Sequence, residues 1–147
     1  MIHKNAKYIE WLSADELHAA SQEWLSDLKF TLDEHRFFED LITEYTSLLI
    51  KDDQFASSKA LIEELDASKK QNIILIEAVQ THENELQVML DGINELKKEN
   101  AYTKEHFQLV TIISEFMKSY NTLKQNMFTV IKDLKKQDKQ NRLIDKK

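Results

Sequence analysis

The sequence predicts an all-α protein, an elongated up-down-up antiparallel bundle of three long helices preceded by a short one. Three observations carry that expectation. The 147 residues hold one glycine, no proline and no cysteine, so the residues that usually turn or break a chain are nearly missing. Leu, Lys, Glu, Gln and Ala, all good helix formers, fill the space instead. Apolar positions recur in alternating steps of four and three, the heptad spacing of a coiled-coil seam rather than of a merely amphipathic face.

The first element is the short one: Tyr8, Ile9 and Leu12 suit a helical segment over residues 3–12 that folds back on the end of the bundle. Ser13-Ala14-Asp15-Glu16 then reads as a capping box, the serine accepting from a free backbone N–H and Glu16 reciprocating three residues on. The first long helix, about 14–50, carries the seam Leu17, Ser21, Trp24, Leu28, Thr31, His35, Phe38, Ile42, Tyr45, Leu49. Lys51-Asp52-Asp53-Gln54 is the first turn.

The second long helix, about 55–98, carries Leu61, Leu65, Ser68, Asn72, Leu75, Val79, His82, Leu86, Met89, Ile93, Leu96 in one unbroken register of 36 residues. Gly92 falls inside it, and a lone glycine costs roughly 1 kcal/mol, too little to end so long a helix. Lys98-Glu99-Asn100-Ala101 is therefore read as the second turn, with Asn100 or Thr103 as cap. The third long helix, about 103–143, carries His106, Leu109, Ile113, Phe116, Tyr120, Leu123, Met127, Val130 and Leu134, then the weaker Gln137, Asn141 and Ile144. Short connections make neighbouring helices antiparallel within one domain. No solenoid repeat signature recurs.

Composition closes several functional classes. Without cysteine there is no disulfide framework, thiolate chemistry or thiolate metal site. With one glycine there is no phosphate-cradling loop and no Gly-x-Ser-x-Gly nucleophile turn. The longest apolar run, Ile73–Ile76, is far too short to span a membrane. The N-terminus lacks the apolar core of a secretory signal, so the cytoplasm is the expected location. The net charge of −6 is uneven: residues 132–147 carry seven basic and three acidic groups, a net of +4, against −10 elsewhere. That basic end suits a helix C-terminus. It has no interleaved aromatics or arginine cluster, and the acidic body repels polyanions, so nucleic acid is not the expected partner.

His35, His82 and His106 each lie on a seam, one per helix, and that invites a metal hypothesis. Folding the chain about turns centred near residues 53 and 101 separates them. His82 then falls level with Trp24 and Tyr120, roughly 16 Å of helix rise from His35 and roughly 21 Å from His106. No ion can be shared over such distances, because ligands sit about 2 Å from a metal. The thirty seam positions before the fading tail hold no Asp or Glu, and Glu77, Glu83 and Glu85 fall on flanks. His82-Glu83 starts an H-E-x-x-H motif, but Leu86 stands where the second histidine belongs. The remaining ligand-type pairs are His35 with Glu39 and His82 with Glu85, and each equally suits a side-chain hydrogen bond. The expectation is a structural layer of Trp24, His82 and Tyr120, with His106 solvated near a bundle end, and with no metal, catalytic residue or cofactor.

Phe30, Phe37, Ile73, Ile74 and Phe128 are large apolar residues off the seams, and they fall near one level of the rod. Flank residues such as Leu32, Leu41, Ile62 and Ile131 merely widen the buried faces. A shared level is what a protein interface predicts. The leading functional expectation is therefore a non-enzymatic helical protein acting through protein–protein contact, as an adaptor, regulatory or assembly partner, with a homodimer or a helical partner on those five residues. The alternative is a metal- or small-ligand-binding bundle of broadly ferritin-like or hemerythrin-like type, with His35, Glu39 and His82 as ligands.

Overall fold

The computed structural model describes residues 14–51, 55–91 and 96–145, and the side chains of 15–51, 55–88 and 100–144. Among these residues every element is helical: α1 (Ala14–Glu44), α2 (Thr46–Lys51), α3 (Phe55–Asp91) and α4 (Leu96–Asp145). The short helix expected over 3–12 and the Ser13 cap lie outside the described residues, as do residues 52–54 of the first turn. No described helix is long and apolar enough to cross a membrane.

The described residues group into two compact units. One joins those up to Phe30 with Asn72–Phe116, and the other joins Thr31–Gln71 with Met117 onward. In the first unit Leu17, Leu86 and Tyr102 cluster, and Trp24 packs on His106. Residue numbers rise together between α1 and α4 and oppositely between those two and α3, which is the up-down-up order. In the second unit His35 meets Ser68, Glu39 meets Lys69, and Tyr120 meets Glu34. A further cluster there joins Tyr45, Leu49 and Leu134, with Leu41, Leu48 and Ile62 packed against it.

The seams are the buried stripe. On α1 and α2, Trp24 and Ile42 are half-buried and the other eight seam residues are buried. On α3, Leu65, Asn72, Leu75, Val79, His82 and Leu86 are buried, while Met89, Ile93 and Leu96 lie outside the described side chains. On α4 the stripe runs from Tyr102 to Leu134, after which Leu143 and Ile144 stand exposed.

Two boundaries differ from the expectation. The first long helix breaks at Tyr45 instead of running on to 50. Thr43 donates to the Glu39 carbonyl, and Thr46 to those of Ile42 and Thr43. Hydroxyl donation to carbonyls a turn back competes with the helical ladder and bends it. The larger correction concerns the second turn. Residues 98–101 are helical, because α4 has already begun at Leu96, and α3 ends at Asp91. The chain's single glycine comes directly after Asp91 in sequence. Gly92 itself lies outside the described residues. Lys98, Glu99 and Ala101 have the helix propensity expected of an interior.

Candidate functional site

With His82 of α3 beside His106 of α4, every level on the last helix lies about fourteen residues, or roughly 21 Å of rise, from where a turn centred near residue 101 places it. That is the whole separation the sequence reading placed between His82 and His106. The two imidazoles are in fact hydrogen-bonded, His82 Nε2 to His106 Nδ1 at 3.0 Å. His106 is 2% exposed, so its expected solvation is corrected: it is a core residue.

The first unit therefore holds a polar cluster. His82, wholly buried on α3, is stacked by Tyr102 of α4 at 4.0 Å between centroids and only 5° from parallel. Trp24 of α1 lies 4.7 Å from the His106 ring and 6.5 Å from that of His82. His18 of α1 pairs with Glu83 of α3, whose Oε2 is buried without a hydrogen-bond partner. On the other side of His82, Glu105 Oε1 lies 3.5 Å from Nδ1. That exceeds the ordinary N–H···O range, and Nδ1 is buried with no hydrogen-bond partner. One ligand-type atom each from His82, Glu85 and Glu105 falls within 4.8 Å of the other two. Beside them is an open groove of about 470 Å³, between Thr81, Glu85 and Val88 on α3 and Ala101, Tyr102 and Glu105 on α4.

Burial sets the electrostatics. It lowers His82 to about 4, with the neighbouring His106 adding to the effect, and it lowers His106 as well. Burial raises Glu105 to about 7, helped by a hydrogen bond to Glu85 and by that group's charge. Burial and then Glu83 push the Tyr102 hydroxyl up, while the Ser21 hydroxyl opposes. At neutral pH both imidazoles are uncharged, and Glu105, raised to about 7, is close to half-protonated.

The second unit has its own polar layer, around His35. Its Nδ1–H donates to the Thr31 carbonyl at 2.8 Å, which leaves Nε2 to accept from the Ser68 hydroxyl at 2.8 Å. Burial lowers His35, and the Thr31 bond opposes that shift. Tyr120 packs on His35 at 4.7 Å and donates to Glu34 Oε1 at 3.2 Å. Lys124 closes on the other oxygen of Glu34 at 2.7 Å.

These contacts sort the residues chosen from the sequence. Trp24 and His82 share a cluster as expected, but Tyr120 belongs with His35 and Glu34, and the third member beside His82 is His106 with Tyr102. His35 and Glu39 do not act as a ligand pair: both His35 nitrogens are bonded, and Glu39 pairs with Lys69 at 2.8 Å. The signal for Glu105 was present as Glu105-His106 on α4, but the misplaced turn put it two or more layers away from His82. Among the five off-seam residues, Phe30, Ile73 and Ile74 in the first unit are 65%, 38% and 56% exposed. In the second unit Phe37 and Phe128 are 55% and 47% exposed, with ring centroids 6.1 and 5.2 Å from that of Phe38.

No family model, curated protein or solved structure matches this chain.

Proposed function

We propose that the chain is a non-enzymatic helical protein that acts through protein–protein contact, as an adaptor, regulatory or assembly partner. The observation that carries the reading is the exposure of Phe30, Phe37, Ile74 and Phe128, each with about half or more of its surface in water. Single exposed apolar residues are ordinary. Phe30 with Ile74 in the first unit, and Phe37 with Phe128 in the second, are exposed apolar residues that no seam needs, and each pair is what a partner surface supplies. The proposed occupant is a second copy of this chain, packing by coiled-coil-type contact, with a helix of another protein as the other form of the reading. The cytoplasm is the proposed location, and cell fractionation tests it.

Light scattering over a concentration series tests the homodimer. A mass that rises to twice the chain mass, and stays at the chain mass in Phe30→Ser or Phe37→Ser, is the expected result. A chain mass that holds to high concentration removes the homodimer.

A second reading, a metal-binding bundle, is favoured by one observation: the buried and unpartnered His82 Nδ1 beside two carboxylates.

A further inference from the structure

His82 is fully buried, with one nitrogen committed to His106 and the other committed to nothing. A buried polar atom without a partner costs on the order of 1–3 kcal/mol. Such an atom points to a group that the chain does not itself supply. Two carboxylates face it, Glu85 from one turn further along α3 and Glu105 from α4. We propose that His82 Nδ1, Glu85 and Glu105 form a binding site for one divalent first-row transition-metal ion, with zinc as the type. This deepens the second reading above and is independent of the first.

The donor set selects the class of ion. One imidazole with two carboxylates suits zinc, cobalt, manganese or ferrous iron, whereas calcium and magnesium take all-oxygen shells. Zinc holds nitrogen and oxygen ligands at about 2.0–2.2 Å, so tetrahedral ligand atoms stand about 3.3 Å apart. The three atoms already lie within 4.8 Å of one another. The remaining closure falls to Glu85 and Glu105, which are exposed and half-buried and whose mutual hydrogen bond the ion would replace. His82 has no need to move. His106 accepts from His82 Nε2–H, which leaves the lone pair on Nδ1 and aims it at the carboxylates, the orienting role of an outer-shell partner. Tyr102 stacked on one face fixes the ring plane. The groove beside Glu85 and Glu105 leaves the fourth position to water. The spacing is also right: residues 82 and 85 are three apart on one helical face.

The competing arrangement is a metal-free network in which Nδ1 carries the proton and points it at Glu105. Calorimetric titration of the untagged, chelator-treated full chain with zinc, and with cobalt for its ligand-field spectrum, separates the two. The expected result is saturable binding of one ion per chain, weakened about 10-fold or more in Glu85→Gln and in Glu105→Gln, and lost in the double variant. Glu39→Gln, at a carboxylate paired with Lys69, binds as the parent does. Circular dichroism of each variant shows that the helices are kept, which is why the carboxylates rather than buried His82 are replaced. No saturable binding to the parent chain overturns the site and the metal-binding reading together. Binding at unchanged affinity in the double variant overturns this site and leaves that reading to another set of ligands.

Discussion

His35 and His82 occupy the same kind of position, a seam residue wholly buried in its unit, and they are finished differently. In the second unit His35 spends both nitrogens at 2.8 Å, on a carbonyl of its own helix and on a serine of the next. In the first unit His82 spends one nitrogen on another histidine and leaves the second unpartnered. A buried histidine is thus not one category. Where its hydrogen bonds are complete, it is a packing element that fixes which helices meet. Where they are incomplete, it is a vacant donor position waiting on a proton, an ion or a rearrangement.

Acid should expose the contrast most strongly. In metal-free protein the folded pKa of His82 is depressed from 6.5 to about 4. The unfolded chain therefore binds more protons between those values. The stability that His82 contributes is full above 6.5 and falls away as pH drops toward 4, a loss on the order of 3 kcal/mol. His35 and His106 are shifted in the same direction. Glu105, raised to about 7, acts oppositely and favours the folded state as pH falls from 7 toward 4.5. The groups facing His82 are His106, Tyr102, Glu85 and Glu105, and those facing His35 are Tyr120, Glu34, Glu39 and Lys69. Amide hydrogen exchange at pH 5 should loosen Val79–Leu86 before the turn around His35. Equal loosening would erase the distinction between the two histidines.

Substitution gives the next effect. His35→Leu removes one buried and one partly buried hydrogen bond and should cost about 2 kcal/mol, against about 1 kcal/mol for His82→Leu, which removes one. Urea melts of the two variants measure the difference, and a larger loss at His82 would mean that its Nδ1 is bonded after all. Smaller again is Asn72→Leu in the first unit. Asn72 is wholly buried and neither amide atom has a hydrogen-bond partner. A leucine of similar volume should raise stability by about 1 kcal/mol, and a loss instead would reveal a polar neighbour that the asparagine serves. The smallest effect is in the second unit. Lys124→Met breaks a partly exposed ion pair with Glu34 and should cost no more than about 1 kcal/mol, less at high salt.

Much of the fold was legible in residue order. The heptad seams predicted the buried stripe on α1, α3 and α4 nearly residue for residue, because burial in a helical bundle follows a period that composition cannot hide. Lys51, read as the first residue of the turn, is helical, but the start of α3 at Phe55 was legible too. The second turn was not. Lys98, Glu99 and Ala101 are good helix formers, and reading them as a turn went against their propensity. That one error propagated into the site, since in a hairpin each residue of turn displacement moves the facing helix by two. His82 was recognised as a core residue, yet its partners, Tyr102, Glu105 and His106, all lie on the helix whose level was wrong. His35 and Ser68 lie on the seams of the two helices that the first turn joins, so their meeting does not depend on the second turn.

Trp24 lies against His106, 4.7 Å between ring centroids. The chain has two tryptophans, and the other is Trp11. In a Trp11→Phe background the emission of this protein comes from one indole with an imidazole tilted against it. A neutral imidazole and an imidazolium perturb an indole differently, the cation drawing directly on the ring's π density. The first unit therefore carries its own optical gauge. Without any added dye, intensity against pH reads when the histidine pair takes up a proton, and intensity against added zinc reads whether that pair has been disturbed.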